Sequence, residues 1–226
     1  MKMYNTVQDC LYGKRKRPVA GIVLNVIIGF FIVVLVAEFI FGLNYAGIYV
    51  VNVSMTPTVN GANIVDYTED GRPIADDAGD YIYIRKGAKP SYGDIVVVYR
   101  ENVKDNIIKR AVAFEGDRVK FVEGYLYVNG ELVEESYISD EFRTSPGHMY
   151  YNYPRGGGEH TVGKNAVFLL GDNRNHSDDS RKYGDYPMSS VIGVVPGWSL
   201  TIKGFTTAVH KFFYFTISGR NTTVSA

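Results

Sequence analysis

The feature that most limits what this chain can become is an apolar run at residues 19–43, mostly Val, Ile, Leu, Phe, Ala and Gly, broken by Asn25 and Glu38. Wound as a helix at about 1.5 Å per residue, it is long enough to cross a hydrocarbon core of roughly 30 Å. The basic cluster Lys14-Arg15-Lys16-Arg17 stands immediately before it. Because cytoplasmic flanks of membrane spans are enriched in Lys and Arg, that end is expected in the cytoplasm and everything beyond Leu43 outside. Glu38 would be costly at the bilayer centre, but near the outer end its carboxylate reaches headgroups or water. Tyr45 falls where an interfacial aromatic belongs. A cleaved signal peptide shares the basic-then-apolar order, but its apolar core runs only about 7–15 residues and ends in a small-x-small site. The longer run, with no such site closing it cleanly, is expected to be a retained anchor. The expected division is a cytoplasmic segment at 1–17, a transmembrane anchor at 18–44 and an extracytoplasmic domain at 45–226.

The 226 residues suffice for such an anchor plus a domain with its own core. Lys plus Arg and Asp plus Glu both number 24, so no global charge points to nucleic acid, and none is expected as a partner. The only cysteine, Cys10, excludes an intrachain disulfide and precedes the anchor, where it is expected to be a bystander. With 24 glycines, 18 tyrosines and 12 phenylalanines, the composition suits turns and strands better than a helical bundle.

Past the anchor, short runs rich in Val, Ile and Tyr alternate with turn residues. Strands are expected at 81–84, 94–100, 107–114, 118–123, 125–128, 131–133, 166–170, 191–195 and 198–203. Asn129-Gly130, between two of these runs, is a strong signal for a tight hairpin turn. No long stretch shows a clear 3.6-residue period, so the expected domain is mainly β. Residues 69–80, rich in acidic side chains, and 144–160, with Gly156-Gly157-Gly158, read as surface insertions, the second as a mobile loop. Residues 205–217 are apolar and aromatic, interrupted by His210 and Lys211. They either pack on the domain or lie on the membrane surface.

Four segments carry the chemistry. Asn52-Val53-Ser54-Met55-Thr56-Pro57-Thr58 follows the anchor by about ten residues. Tyr92-Gly93-Asp94-Ile95-Val96-Val97 comes next, then Ile108-Lys109-Arg110-Ala111-Val112 with Gly116-Asp117. Last is Gly171-Asp172-Asn173-Arg174-Asn175-His176-Ser177-Asp178-Asp179-Ser180-Arg181. Alone, Ser54 could be a solvated turn residue, and Lys109 could point to solvent by alternation with Ile108. In this order and behind an anchor, the four segments resemble the motifs of type I signal peptidases, in the single-span Gram-positive style. The resemblance covers residues 14 to 195.

The resemblance implies a single transmembrane helix followed by a β-rich catalytic domain of the signal-peptidase and self-cleaving-repressor type. It implies a membrane-bound serine endopeptidase that removes signal peptides from exported proteins after small-x-small sites, with Ser54 as nucleophile and Lys109 as general base. A serine hydroxyl is a poor nucleophile until a base takes its proton. A lysine serves only if neutral, so burial must lower its pKa from about 10.4 towards the working pH. Ile107, Ile108, Ala111 and Val112 supply apolar surroundings. The pattern requires none of the four histidines, His148, His160, His176 and His210, which leaves a serine–histidine–aspartate triad the weaker reading.

By the same resemblance, Ser177 hydrogen-bonds the Lys109 amine, and Asp179 with Arg181 forms a supporting ion pair. The Ser54 N–H donates to the oxyanion. Asn52 departs from the Ser or Gly often found two positions before the nucleophile, and its amide is expected to be the second donor. Val50, Met55, Val59 and Ile108 are expected to line the pockets for small side chains. No metal and no cofactor are implied; the partners are signal peptides of secreted preproteins and the lipid bilayer. Oligomeric state stays open. The alternatives are a dedicated pilin or surface-protein processing peptidase, and a catalytically lapsed pilus-assembly accessory of the same fold. A self-cleaving repressor would carry a DNA-binding domain and no anchor.

Overall fold

The computed structural model describes residues 19–61, 64–67, 73–75, 79–101 and 104–213. The basic cluster at 14–17 and Cys10 lie outside these residues, as do 214–217 of the aromatic tail. The chain divides into two units, Met1–Asn44 and Tyr45–Ala226. The first contains α1, Val19–Asn44, an unbroken helix of 26 residues with no buried side chain. At about 1.5 Å per residue it measures roughly 39 Å, more than a bilayer core requires. Its last side chain closes the final turn, Asn44 Nδ2 donating to the Ile40 carbonyl at 2.8 Å. Phe30, Phe31, Leu35 and Phe39 are all more than half exposed. Such a surface is costly in water and at home in lipid.

The second unit is β-rich. Its strands are β1 (Tyr45–Tyr49), β2 (Ile64–Tyr67), β3 (Pro73–Ala75), β4 (Tyr81–Lys86), β5 (Ile95–Arg100), β6 (Asp105–Phe114) and β7 (Arg118–Val122). They continue as β8 (Tyr125–Val128), β9 (Glu131–Leu132), β10 (His160–Thr161), β11 (Ala166–Leu170), β12 (Tyr186–Pro187) and β13 (Val191–Val194). Two helices accompany them, α2 (Ser180–Tyr183) and α3 (Gly197–Lys211). One sheet runs in the order β1-β4-β13-β5-β6-β11-β12, another in the order β10-β7-β8-β9, and β2 pairs with β3 alone.

β5 shows why the large sheet forms. Ile95, Val96, Val97 and Val98 are all buried, with Ile95 and Val97 in one apolar cluster and Val96 and Val98 in another. A run without polar alternation belongs to a strand covered on both faces. The first cluster also takes Val50, Met55, Val59, Ile82, Ile84 and Ile108; the second takes Ala111, Val167 and Leu169. A third, around Phe121, Leu126 and Phe168, joins the two sheets. The turn at Asn129-Gly130 has positive φ at both residues, 55° and 87°, as a two-residue hairpin between Val128 and Glu131 demands.

Several expectations need correction. The segment 198–203 is not a strand but the start of α3. β1 was not foreseen; Tyr45, expected only as an interfacial aromatic, begins it and pairs opposite Arg85. Gly47 allows β1 and β4 to meet, since a Cβ there would overlap the Tyr81 ring. Part of 144–160 is held rather than loose: Phe121 and Tyr153 exchange backbone hydrogen bonds of 2.8 and 3.1 Å, and Tyr150 is buried. Within 69–80, residues 73–75 form β3, Asp80 is ordered against the Ser54 loop, and the rest lies outside the described residues.

Candidate active site

The loop at 50–61 carries Ser54 between β1 and β2, and it is tied at each end. Val50 N–H donates to the Asp80 carbonyl at 3.0 Å, and Asn60 N–H donates to Asp80 Oδ2 at 2.9 Å. Inside the loop, Thr56 N–H reaches the Val53 carbonyl at 3.1 Å and Val59 N–H the Met55 carbonyl at 3.0 Å. Gly61 passes so close to the Asn52 backbone that a Cβ would overlap it. Met55 and Val59, both fully buried, pin the loop into the core beside Val50 and Ile108. The four residues expected to line substrate pockets therefore share one apolar cluster.

β6 presents Lys109. Its register with β5 covers Asp105 to Arg110, with Val96 opposite Lys109, while its register with β11 covers only Arg110 to Phe114. The lysine thus sits just past the end of β11, where the chain turns away at Gly171. Only 5% exposed, its Nζ lies 2.7 Å from Ser54 Oγ and donates to the Ile108 carbonyl at 2.9 Å. Burial pushes the Lys109 pKa down from its ordinary 10.5 to about 8, against the opposing pull of Asp179. A buried hydroxyl facing an amine that deprotonates near neutral pH can act as a nucleophile and base. Ser54 has no histidine at its hydroxyl: His160 Nε2 lies 2.7 Å from Asp185, and His210 Nδ1 lies 2.9 Å from the Tyr49 hydroxyl.

The segment after β11 wraps the dyad. Asn173 N–H donates to the Ser54 carbonyl at 3.0 Å. Gly171 lies between Ser54 and Ser177, and a Cβ there would overlap both the Ser54 carbonyl and the Ser177 side chain. The expected hydrogen bond from Lys109 to Ser177 is not formed; Ser177 Oγ is buried against Gly171, and its hydroxyl helps to hold the Asp179 carboxyl low. Asp179 and Arg181 form a buried bidentate pair at 2.9 Å through both Nε and Nη2. Burial pushes the Asp179 carboxyl up, but Arg181 and the Gly171 N–H outweigh it and hold it below the usual carboxylate range.

Asn52 has a left-handed backbone, φ 72°, and its Oδ1 accepts from Val53 N–H at 2.6 Å. Its amide nitrogen is thereby left as the side chain's donor. Asparagine tolerates this backbone better than most residues.

Sequence reasoning missed a second set of buried charges. Arg110, the neighbour of Lys109, donates to Asp172 through Nε at 2.8 Å and Nη2 at 2.6 Å, and Asp172 also accepts from the Thr58 hydroxyl. One carboxylate therefore joins the strand of the lysine to the loop of the serine. Lys203 on α3 braces the same loop, donating to the Thr58 carbonyl at 2.7 Å and to Asp80 at 3.0 Å. Arg174 pairs with fully buried Glu135, whose carboxyl it holds low against the upward push of burial. The signal for Arg110 and Asp172 lay inside the quoted motifs; Glu135 and Lys203 lie outside them.

Comparison with known proteins shows what the whole chain is similar to. A family model described as "Signal peptidase, peptidase S26" matches residues 23–198. Signal peptidase I of Pseudomonas aeruginosa is 33% identical over 136 residues, 51% of this chain and 48% of that protein. Signal peptidase IB of Staphylococcus aureus (strain COL) is 26% identical over 205 residues, 87% of this chain and 96% of that protein. Across four curated relatives, the Pseudomonas protein included, the chain spans 36% to 57% of their length. A solved signal peptidase I from Enterococcus faecalis V583 overlaps 48% of this chain and 98% of that one, at 28% identity and a TM-score of 0.40.

Proposed function

The chain belongs to the peptidase S26 family of signal peptidases, and from that premise we propose that it is a membrane-anchored serine endopeptidase that removes signal peptides from exported proteins. The observation that carries the proposal is the 2.7 Å contact between Lys109 Nζ and Ser54 Oγ in a buried setting.

Neutral Lys109 takes the Ser54 proton as Oγ attacks the carbonyl carbon of the scissile bond. Its two amine hydrogens orient it, one towards the Ile108 carbonyl and the other, as in the family pattern, towards Ser177 Oγ. The developing oxyanion takes the Ser54 N–H and the Asn52 amide as donors. Lysine, now an ammonium, returns the proton to the leaving amine. It then activates the water that releases the acyl group from Ser54. The ion pair of Asp179 with Arg181 holds the Gly171 turn against the serine.

The substrate lies extended, with small side chains before the scissile bond received over Val50, Met55, Val59 and Ile108. α1 spans the membrane, the basic cluster at 14–17 stays in the cytoplasm, and the domain from Tyr45 onward lies outside. Tethering enzyme and preprotein to one surface raises their effective concentration. The test is cleavage of a synthetic signal-peptide substrate by the purified chain beside Ser54→Ala and Lys109→Ala. Both variants are expected to lose activity, and near-native cleavage by either one eliminates the dyad.

A further inference from the structure

α3 is amphipathic in reverse. Beside Leu200, which packs on the core, its inward face is polar: Ser199, Lys203, Thr206, Thr207 and His210 recur at the spacing of one helical face. Every one of them is engaged by the domain. Ser199 Oγ accepts from Tyr83 N–H at 2.7 Å, Thr207 Oγ1 accepts from Tyr81 N–H at 2.7 Å, and Thr206 Oγ1 donates to the Tyr81 carbonyl at 2.7 Å. Lys203 holds the Ser54 loop, and His210 meets the Tyr49 hydroxyl while stacking on the Tyr81 ring at 3.6 Å.

The sheet explains this inversion. β4 pairs with β1 along Tyr81–Arg85, but its pairing with β13 reaches only Arg85 and Lys86. Among the described residues, no strand pairs with β4 at Tyr81 and Tyr83 on that side. Leaving their backbone groups unpaired would cost free energy, and the hydroxyls of α3 take the place of the missing strand.

The outward face is correspondingly apolar. Trp198, Ile202, Phe205 and Phe212 stand at i, i+4, i+7 and i+14, with Phe205 71% and Phe212 59% exposed. The ionisable residues of the helix, Lys203, His210 and Lys211, lie off this stripe. The stripe also begins where the chain leaves its span. The Trp198 ring packs edge-on against Tyr45 at 5.6 Å, and Tyr45 is bonded to the last residue of α1. Trp and Phe without interspersed charge favour the boundary between headgroups and acyl chains.

We propose that α3 is a membrane-docking element whose Trp198–Ile202–Phe205–Phe212 face lies in the lipid interface while its polar face remains bonded to the sheet. This rests on α1 crossing the bilayer. Docking would fix the height of the Ser54 loop above the membrane, because Lys203 joins that loop to the same helix.

The full chain reconstituted in phosphatidylcholine vesicles tests it without any reading of catalysis. Trp198 is the only tryptophan, so Trp198→Phe supplies a silent background in which Phe205→Trp reports on α3 and Phe30→Trp on α1. Lipids brominated on their acyl chains should quench both reporters, the α3 one by about half or more, and aqueous acrylamide should reach neither well. If acrylamide quenches the Phe205→Trp reporter while bromolipid spares it, and the Phe30→Trp reporter still responds to bromolipid, α1 spans but α3 stands in water and the proposal fails. A Phe30→Trp reporter that bromolipid does not quench removes the span itself, and the docking with it. Shielding of the α3 reporter that vanishes on diluting protein into lipid, with bromolipid silent, assigns the stripe to a second copy and overturns the proposal.

Discussion

The dyad makes two linked predictions about pH, one for activity and one for stability. Burial lowers Lys109 from 10.5 to about 8, so roughly one-tenth of the amine is neutral at pH 7 and about half at pH 8. kcat/KM for a signal-peptide substrate should therefore fall about tenfold per pH unit on the acid side, with a midpoint near 8. A lysine at its ordinary value would place that midpoint more than two pH units higher.

The stability effect has the opposite sense from that of a salt-bridged lysine. Below about pH 8 the amine is protonated in both states and the folded protein bears the full cost of a buried charge. Between about 8 and 10.5 the unfolded chain keeps its proton while the folded one releases it, so stability rises with pH. The rise is roughly 3 kcal/mol, at about 1.4 kcal/mol per pH unit. Lys109→Met removes the charge but leaves the Ser54 hydroxyl and the Ile108 carbonyl without their partner, at about 1 kcal/mol each. At pH 7 the variant should be more stable than the native chain by about 1 kcal/mol. By pH 10.5 it should be less stable by about 2 kcal/mol. Denaturant unfolding of both proteins in one detergent across this range measures the difference, in which all other titrating groups cancel. A difference that does not change with pH, or an activity midpoint near 10, would refute burial as the source of the neutral base.

Three further outcomes follow from the geometry. Gly171→Ala should abolish cleavage with little loss of secondary structure, because its Cβ must displace the Ser54 carbonyl or Ser177; activity beside circular dichroism decides it. Asp172→Ala leaves the Arg110 charge buried without its carboxylate, at about 3–5 kcal/mol, so calorimetry should show a melting temperature lower by roughly 6–20 °C. Asn52→Asp keeps the Oδ1 that accepts from Val53 but removes the amide donor. It should lower kcat by about a hundredfold with an unchanged melting temperature.

The parts of the fold that were legible from sequence are those in which each residue reports its own surroundings. A helix that is apolar and exposed on every side needs no partner to define its pattern, so α1 could be read from composition alone. β5 and β11 are buried on both faces and read as plain apolar runs. α3 misled for an identifiable reason. Trp198-Ser199-Leu200-Thr201-Ile202-Lys203 alternates apolar and polar residues, as a half-buried strand does, while the helix turns its polar residues inward to complete β4. β1 was hidden by Gly47, which weakens a strand pattern but is needed beside Tyr81. The burial of Lys109 could not be read from β6 by itself, since Ile108 and Lys109 alternate on any strand. It follows from where β11 ends and Gly171 turns.

Two buried ion pairs, Asp179 with Arg181 expected from the sequence and Asp172 with Arg110 missed there, explain how that burial can leave the lysine neutral. Asp172 and Asp179 both act to keep Lys109 protonated, and a carboxylate free to reach its amine would do so strongly. Neither is free. Asp172 is held by both nitrogens of the Arg110 fork, and Asp179 by both nitrogens of the Arg181 fork. The two carboxylates are thus neutralised pairwise a short distance from the lysine, whose own contacts are the uncharged Ser54 hydroxyl and Ile108 carbonyl. Desolvation then dominates its proton affinity. The same pairs set the geometry, since Asp172 also holds Thr58 in the serine loop and Asp179 also holds the Gly171 turn. A site that needs a neutral lysine among acidic residues therefore needs arginines beside them. That requirement accounts for the alternation of carboxylates and arginines around Ser54 better than stability does, because buried ion pairs add little stability over apolar packing.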